Sequence, residues 1–269
     1  MLNYCCGVRA IILPTIGIWL VFHYMCGSIF GDVECDPVSM EEKAVKGDGL
    51  LINRLKILFF NRLHFLKSSD RPLAPNVIEQ FETIYEQYIV KDSGLWIDYD
   101  LDYPKHLFLQ YLIKVKDVLV HGSNNPDIEI FEPRNQTLAN NKPVKAVFAA
   151  SDAIWSLYFA VINRSEYQGT LKNLCFSIPT KKEVKRYYYF SVNQDFQGEY
   201  WRNGTMYILP KSAFAQGGSR EEWICQDKVK PLAKISVTPE EFPFLDQVRK
   251  HDENMAHVKV VLTALFWNK

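Results

Sequence analysis

The chain has 269 residues, of which 48% are hydrophobic and 14% aromatic, enough for a well-buried core and too apolar for a disordered protein. Lysine plus arginine number 31 and aspartate plus glutamate 31, so the formal net charge is zero and no global field selects nucleic acid or an acidic partner. Of six cysteines, four precede residue 40 and none forms a CxxC pair, which excludes a dense disulfide framework; Cys175 and Cys225 are expected as buried reduced thiols of a cytoplasmic domain.

Residues 10–31 read AIILPTIGIWLVFHYMCGSIFG, with no charge between Arg9 and Asp32. A hydrocarbon core takes about 20 apolar residues, so this run is long enough to associate with a membrane. Pro14, Gly17 and His23 weaken it as a span, and Gly27-Ser28 is a poor match to the small residues of a cleavage site. Three readings stay open: an uncleaved anchor, a signal peptide, or a reading frame whose true start is Met25 or Met40.

Residues 50–67, LLINRLKILFFNRLHFLK, mix large apolar side chains with Arg54, Lys56, Arg62 and Lys67. They predict a helix, packed on the domain with a basic rim or resting on an anionic membrane surface. A linker with Pro72 and Pro75 follows, then a helix capped by Asn76 that carries Val77, Phe81, Ile84 and Tyr88 on one face and stops at residues 92–94. Residues 104–116 give another helix through Leu107, Phe108, Tyr111 and Leu112.

From there short apolar runs separated by turn residues predict strands at 118–120, 146–149, 174–178, 187–192, 205–209, 223–225 and 233–237, interrupted by a helix over 152–163 capped by Ser151 or Asp152. Helices leading into a mostly antiparallel set of strands argue α+β. Three regions result: an apolar segment over 1–40, a helical lead-in over 41–113 and a β-rich domain over 114–269. The run 181–186, with Lys181, Lys182 and Arg186, reads as a solvated turn or as a contact for an anionic acceptor such as RNA, and residues 201–210 read as a hairpin in which Tyr207 or Arg202 can border a groove.

Three elements carry chemistry. The strand 118–120 runs into His121-Gly122-Ser123, which sets an imidazole and a hydroxyl at a sheet rim, with Gly122 letting a ligand approach the backbone. The second strand holds Phe148 and leads into the helix with Ser156 and Phe159. The third is Glu221-Glu222-Trp223-Ile224 at the start of a late strand.

In that order these elements resemble the diphtheria-toxin and poly-ADP-ribose-polymerase branch of the ADP-ribosyltransferases, over roughly 110 residues. The resemblance implies a split antiparallel β-sandwich preceded by N-terminal helices, with NAD as substrate in a cleft between two small sheets. His121, Gly122 and Ser123 would bind the ribose and the nicotinamide amide. Ser156 would contact the same amide, and Phe148 and Phe159 would stack on the ring, Phe148 standing where the family usually has Tyr; stacking needs a ring face and no hydroxyl. Glu222 would be the catalytic carboxylate, with Glu221 the competing choice on the opposite sheet face.

The implied activity is ADP-ribosyl transfer to an unknown acceptor (protein, nucleic acid or small molecule), or NAD glycohydrolysis, with release of nicotinamide. Two alternatives remain: a non-catalytic module of the same fold that binds NAD, ADP-ribose or a partner, and an RNA 2′-phosphotransferase relative. The latter needs arginines facing a phosphate, and Arg134, Arg164, Arg186 and Arg202 are scattered in the sequence.

Overall fold

The computed structural model describes residues 48–70, 72–91, 94–140 and 142–266. The apolar run at 10–31 lies outside them. Among the described residues no helix is long and apolar enough to cross a membrane.

Among the described residues, twelve strands build two mixed sheets, and five α-helices lie between and outside them. The larger sheet has eight strands. Its path runs β2 (Leu95–Trp96), β11 (Ala233–Val237), β8 (Gly204–Pro210), β3 (Val118–Ser123), β5 (Pro143–Ala150), β10 (Glu222–Cys225), β9 (Ala215–Gln216), and β4 (Arg134–Thr137) pairs with the start of β5. The smaller sheet centres on β7 (Val184–Asn193), paired with β6 (Lys172–Pro179), β1 (Leu66–Ser69) and, in parallel, β12 (Arg249–His251).

Period-two alternation sets the layers. On β3, Val118 and Val120 join the central core while Leu119 joins a cluster on the far face, and on β8 Met206 and Ile208 divide from Tyr207 and Leu209 in the same way. On β7, Tyr188 and Phe190 face the central core, and Tyr187 and Tyr189 face a third cluster. That third cluster is closed by α1 (Asp48–Arg62) and α5 (His257–Phe266), which contribute Phe60, Val261 and Leu265.

Between the sheets lies α4 (Ala153–Val161), apolar nearly all round and accordingly buried on most of its surface. It starts where expected: the Asp152 carboxylate accepts a hydrogen bond from the Trp155 N–H at 2.8 Å. It meets the large sheet at two glycines. A Cβ at Gly122 would lie 2.2 Å from the Ser156 carbonyl oxygen, and one at Gly204 would lie 1.9 Å from that of Ala160. On the other side the Tyr158 ring packs 4.6 Å from Phe190 and its hydroxyl donates to the Ser191 carbonyl.

Several local expectations are corrected. Residues 50–67 are not one helix: α1 ends at Arg62, and Leu66–Ser69 pairs with β7 instead. The next helix, α2 (Pro75–Ile84), starts at Pro75 with Ala74 before it, so Asn76 lies inside the first turn and caps nothing; the helix continues as a π-helical turn over Tyr85–Ile89. The region read as a helical lead-in thus donates β1 and β2 to the two sheets. Its α2 and α3 (Lys105–Val115) also share one core with the β-rich part, through Phe81, Phe108 and Leu112 beside Val120 and Tyr158.

Arg186, read as part of a solvated turn, is buried. Its guanidinium bridges Asp70, at 3.0 and 3.1 Å, and Asp152, at 2.7 Å, and the Tyr188 hydroxyl donates to Asp152. Cys175 and Cys225 are buried free thiols, as expected.

Candidate functional site

Between the two sheets, beside α4, is a cavity of about 990 Å³. It is at the upper end of the usual range for small-molecule sites, roughly 300–1,000 Å³. His121, Gly122 and Ser123, Phe148, Ser156 and Phe159, and Glu222 all line it, as does Glu221. The eight positions span about a hundred residues of sequence, and their convergence follows from strand order: β3, β5 and β10 are neighbours in one sheet, with Val120 and Glu222 both paired to Ala150.

β3 and β5 pair only at Val120↔Ala150, the last residue of β5, and the start of β5 pairs with β4 instead. His121 spans the split. Its Nδ1 lies 2.7 Å from the Phe148 carbonyl oxygen, which calls for a proton on Nδ1 and leaves Nε2 as an acceptor. Burial pulls the imidazole pKa below its ordinary value; the Phe148 carbonyl opposes this and Arg134 adds to it. The ring is neutral and rests against Phe131, centroids 4.8 Å apart.

Gly122 departs from the role expected of it. The space a side chain would take is filled by the backbone of α4, so this glycine admits a helix, and through it brings Ser156 and Phe159 to the cavity wall. The Ser123 hydroxyl accepts the Asn125 N–H, closing the turn after β3. Asn124 extends this junction: its amide donates to the Ala160 carbonyl and its oxygen accepts the Arg164 N–H. Tyr207, suggested as a groove residue, is fully buried and holds the following loop by hydrogen bonds with Asn125 and Ile128.

Phe148 stands apart from its strand. Ala146, Val147, Ala149 and Ala150 are buried, while Phe148 is half-buried and turned to the cavity. Phe159 is also half-buried there, edge-on to Trp155 at 6.0 Å. Trp155, which motif reasoning did not single out, lines the same wall and donates its indole N–H to Asn173 at 2.7 Å.

The two glutamates differ in their surroundings. The Glu222 carboxylate accepts the Gly218 N–H at 2.6 Å and the Ala139 N–H at 3.2 Å. Burial raises its pKa, and those two donors work against the rise. Glu221 is more deeply buried, and one of its carboxylate oxygens has no hydrogen-bond partner. Burial pushes its pKa up to about 7, against a Ser177 hydrogen bond that lowers it; Asp152 adds to the rise, and Arg186 and Arg220 oppose it.

The arginines are not scattered in space. Arg134, Arg164 and Arg202 line this one cavity together with Arg220, whereas Arg186 is held in its buried ion cluster. Arg164 is partly desolvated, which lowers its pKa. Arg202 donates to the Ser165 hydroxyl at 2.9 Å. Four guanidinium groups against two carboxylates make this cavity suited to an anionic ligand. No protein-family model, curated protein or solved structure matches the chain.

Proposed function

We propose that the protein uses NAD as a substrate and transfers ADP-ribose to an acceptor, with release of nicotinamide. The observation that carries this reading is the convergence of His121-Gly122-Ser123, Phe148 with Ser156 and Phe159, and Glu222 on one cavity between two sheets. These are the three elements on which the resemblance to the ADP-ribosyltransferases rests, and a split antiparallel sandwich of that type is the fold reading that goes with it.

In this reading nicotinamide stacks among Phe148, Phe159 and Trp155, with Ser123 and Ser156 at its amide. Nε2 of His121 accepts from a ribose hydroxyl, and the arginine wall takes the diphosphate. The bond from C1′ to the nicotinamide nitrogen breaks with both electrons going to the ring, which leaves neutral. Positive charge develops on the ribose, and the Glu222 carboxylate stabilises it. The acceptor nucleophile then bonds to C1′, and its proton passes to Glu222 or to solvent. Water as acceptor gives NAD glycohydrolysis.

Two other readings have an observation in their favour. The backbone donors that occupy the Glu222 carboxylate favour a module that binds NAD or ADP-ribose without turnover. The gathered arginines favour an RNA 2′-phosphate as acceptor.

Calorimetry with NAD, a nicotinamide-release assay and a 2′-phosphorylated oligonucleotide separate the three. Transfer predicts binding with release, and Glu222→Gln keeps the binding and loses the release. Binding without release supports the module. Full release by the Glu222→Gln protein defeats the assignment of that residue, and absence of NAD binding defeats the reading as a whole.

A further inference from the structure

The outer face of α1 has the composition of a lipid-binding surface. Leu51, Ile52, Leu55 and Leu58 are 50 to 60% exposed, and they are four of the nine large hydrophobic residues exposed among the described residues. Leu51, Leu55 and Leu58 follow helical spacing and form one stripe, while Phe60 on the opposite side packs against Phe176 and Tyr187. Arg54 and Arg62 are exposed beside the stripe. No carboxylate occurs in the sequence between Asp48 and Asp70. The Asn53 amide donates to the Pro179 carbonyl, which sets the turn with the exposed Lys181 and Lys182 next to the helix.

We propose that this face of α1 docks on an anionic lipid surface, the leucine stripe entering the acyl boundary and the surrounding cations meeting the headgroups. Arginine stems can lie along apolar surface while their charges reach the phosphates. A second copy of the chain fits less well, since meeting through α1 brings Arg54 and Arg62 against their own equivalents with no carboxylate to answer them. The run at 10–31 is uncharged, but Asp32, Glu34, Asp36, Glu41 and Glu42 follow it, so residues 10–42 are the competing occupant, and binding to neither vesicle type is the outcome that assigns the face to them. An anionic bilayer answers the leucines and the cations together, and the uncharged run upstream is compatible with the same membrane.

The helix also borders the site. Lys56, on its inward side, is close enough to Arg220 of the cavity wall for the two charges to repel. The proposal does not depend on the NAD reading.

The test is co-sedimentation of the full chain with vesicles of phosphatidylcholine alone and of phosphatidylcholine with phosphatidylserine. The variants are Leu51→Ser/Leu55→Ser/Leu58→Ser and Arg54→Gln/Arg62→Gln, whose folding is checked by circular dichroism. The expected result is binding that prefers phosphatidylserine and weakens with salt. The serine variant loses about tenfold or more in affinity, and the glutamine variant loses the lipid preference. Serine-variant binding equal to the parent would assign the affinity to residues 10–31 or another surface and overturn the proposal. Equal binding to both vesicle types, or to neither, overturns it as well.

Discussion

Nδ1 of His121 lies 2.7 Å from the carbonyl oxygen of Phe148, and this bond bridges the point where β3 and β5 separate. It connects a residue with a free imidazole nitrogen to one with a free ring face, both at the cavity wall. Replacement of His121 by Ala therefore has two expected effects. The Phe148 carbonyl loses its donor, which costs about 1–3 kcal/mol of stability. Affinity for NAD falls, because the Nε2 acceptor is gone and the Phe148 ring is less constrained. Thermal unfolding and calorimetry read the two effects separately; a change in stability with NAD affinity untouched counts against His121 as a ligand.

Glu221 makes the pH dependence of stability diagnostic. Its pKa of about 7 lies above the ordinary 4.5. Between those values the folded state keeps a proton that the unfolded state has released, so this contribution is complete below pH 4.5 and lost as pH rises through 7. Glu221→Gln removes the loss. At pH 8 the variant is expected to be more stable than the parent by on the order of 3 kcal/mol, with the difference vanishing near pH 4.

His106, His121, His251 and His257 act with the opposite sign, since burial lowers each below 6.5. Their contribution is complete above pH 6.5 and is lost as pH falls through their folded values. In the Glu221→Gln protein, denaturant midpoints should therefore fall as pH drops from 7 to 5. A variant no more stable than the parent at pH 8 sinks the account of Glu221.

How far the sequence pattern reaches is clear from particular elements. The apolar run at 233–237 predicts β11 to the residue, and the runs around 174–178, 187–192 and 205–209 mark the cores of β6, β7 and β8. These strands are buried, so their composition announces them. β4 does not announce itself: its Arg-Asn-Gln-Thr is exposed along its length and is a strand only because β5 offers it an edge. β1 is hidden for a similar reason, since its partner β7 lies more than a hundred residues away.

The site divides likewise. His121, Phe148 and Glu222 can be found because each sits at a strand position with a recognisable neighbour. Trp155, Asn173 and the four arginines share no local pattern and become a wall only when the two sheets enclose α4.

The buried Arg186 cluster holds that wall from behind. Asp152 both caps α4 and pairs with Arg186, and Asp152→Asn separates the two roles, because Asn caps as well as Asp does. Removing the charge leaves Arg186 with the Asp70 carboxylate and the Ser177 hydroxyl, and breaking a buried pair costs about 3 kcal/mol. A loss of that size in chemical denaturation, with helix content retained by circular dichroism, is the expected result. A loss below about 1 kcal/mol, the worth of a surface pair, would mean that the cluster contributes little.

Gly122 gives the sharpest separation between a packing role and a binding role. Its missing side chain is filled by α4, the Ser156 carbonyl oxygen and the Ala160 nitrogen lying 2.2 and 2.7 Å from where a Cβ would be. Both are backbone atoms and neither can swing aside. Gly122→Ala must push α4 away from β3, and overpacking of this kind costs about 3 kcal/mol. Because α4 also carries Trp155, Ser156 and Phe159, the shift opens the cavity and weakens NAD binding. A glycine present only to let a ligand approach would show the loss of affinity with no loss of stability. The two measurements on this one variant therefore decide between the roles, and the contact with α4 predicts that stability falls along with affinity.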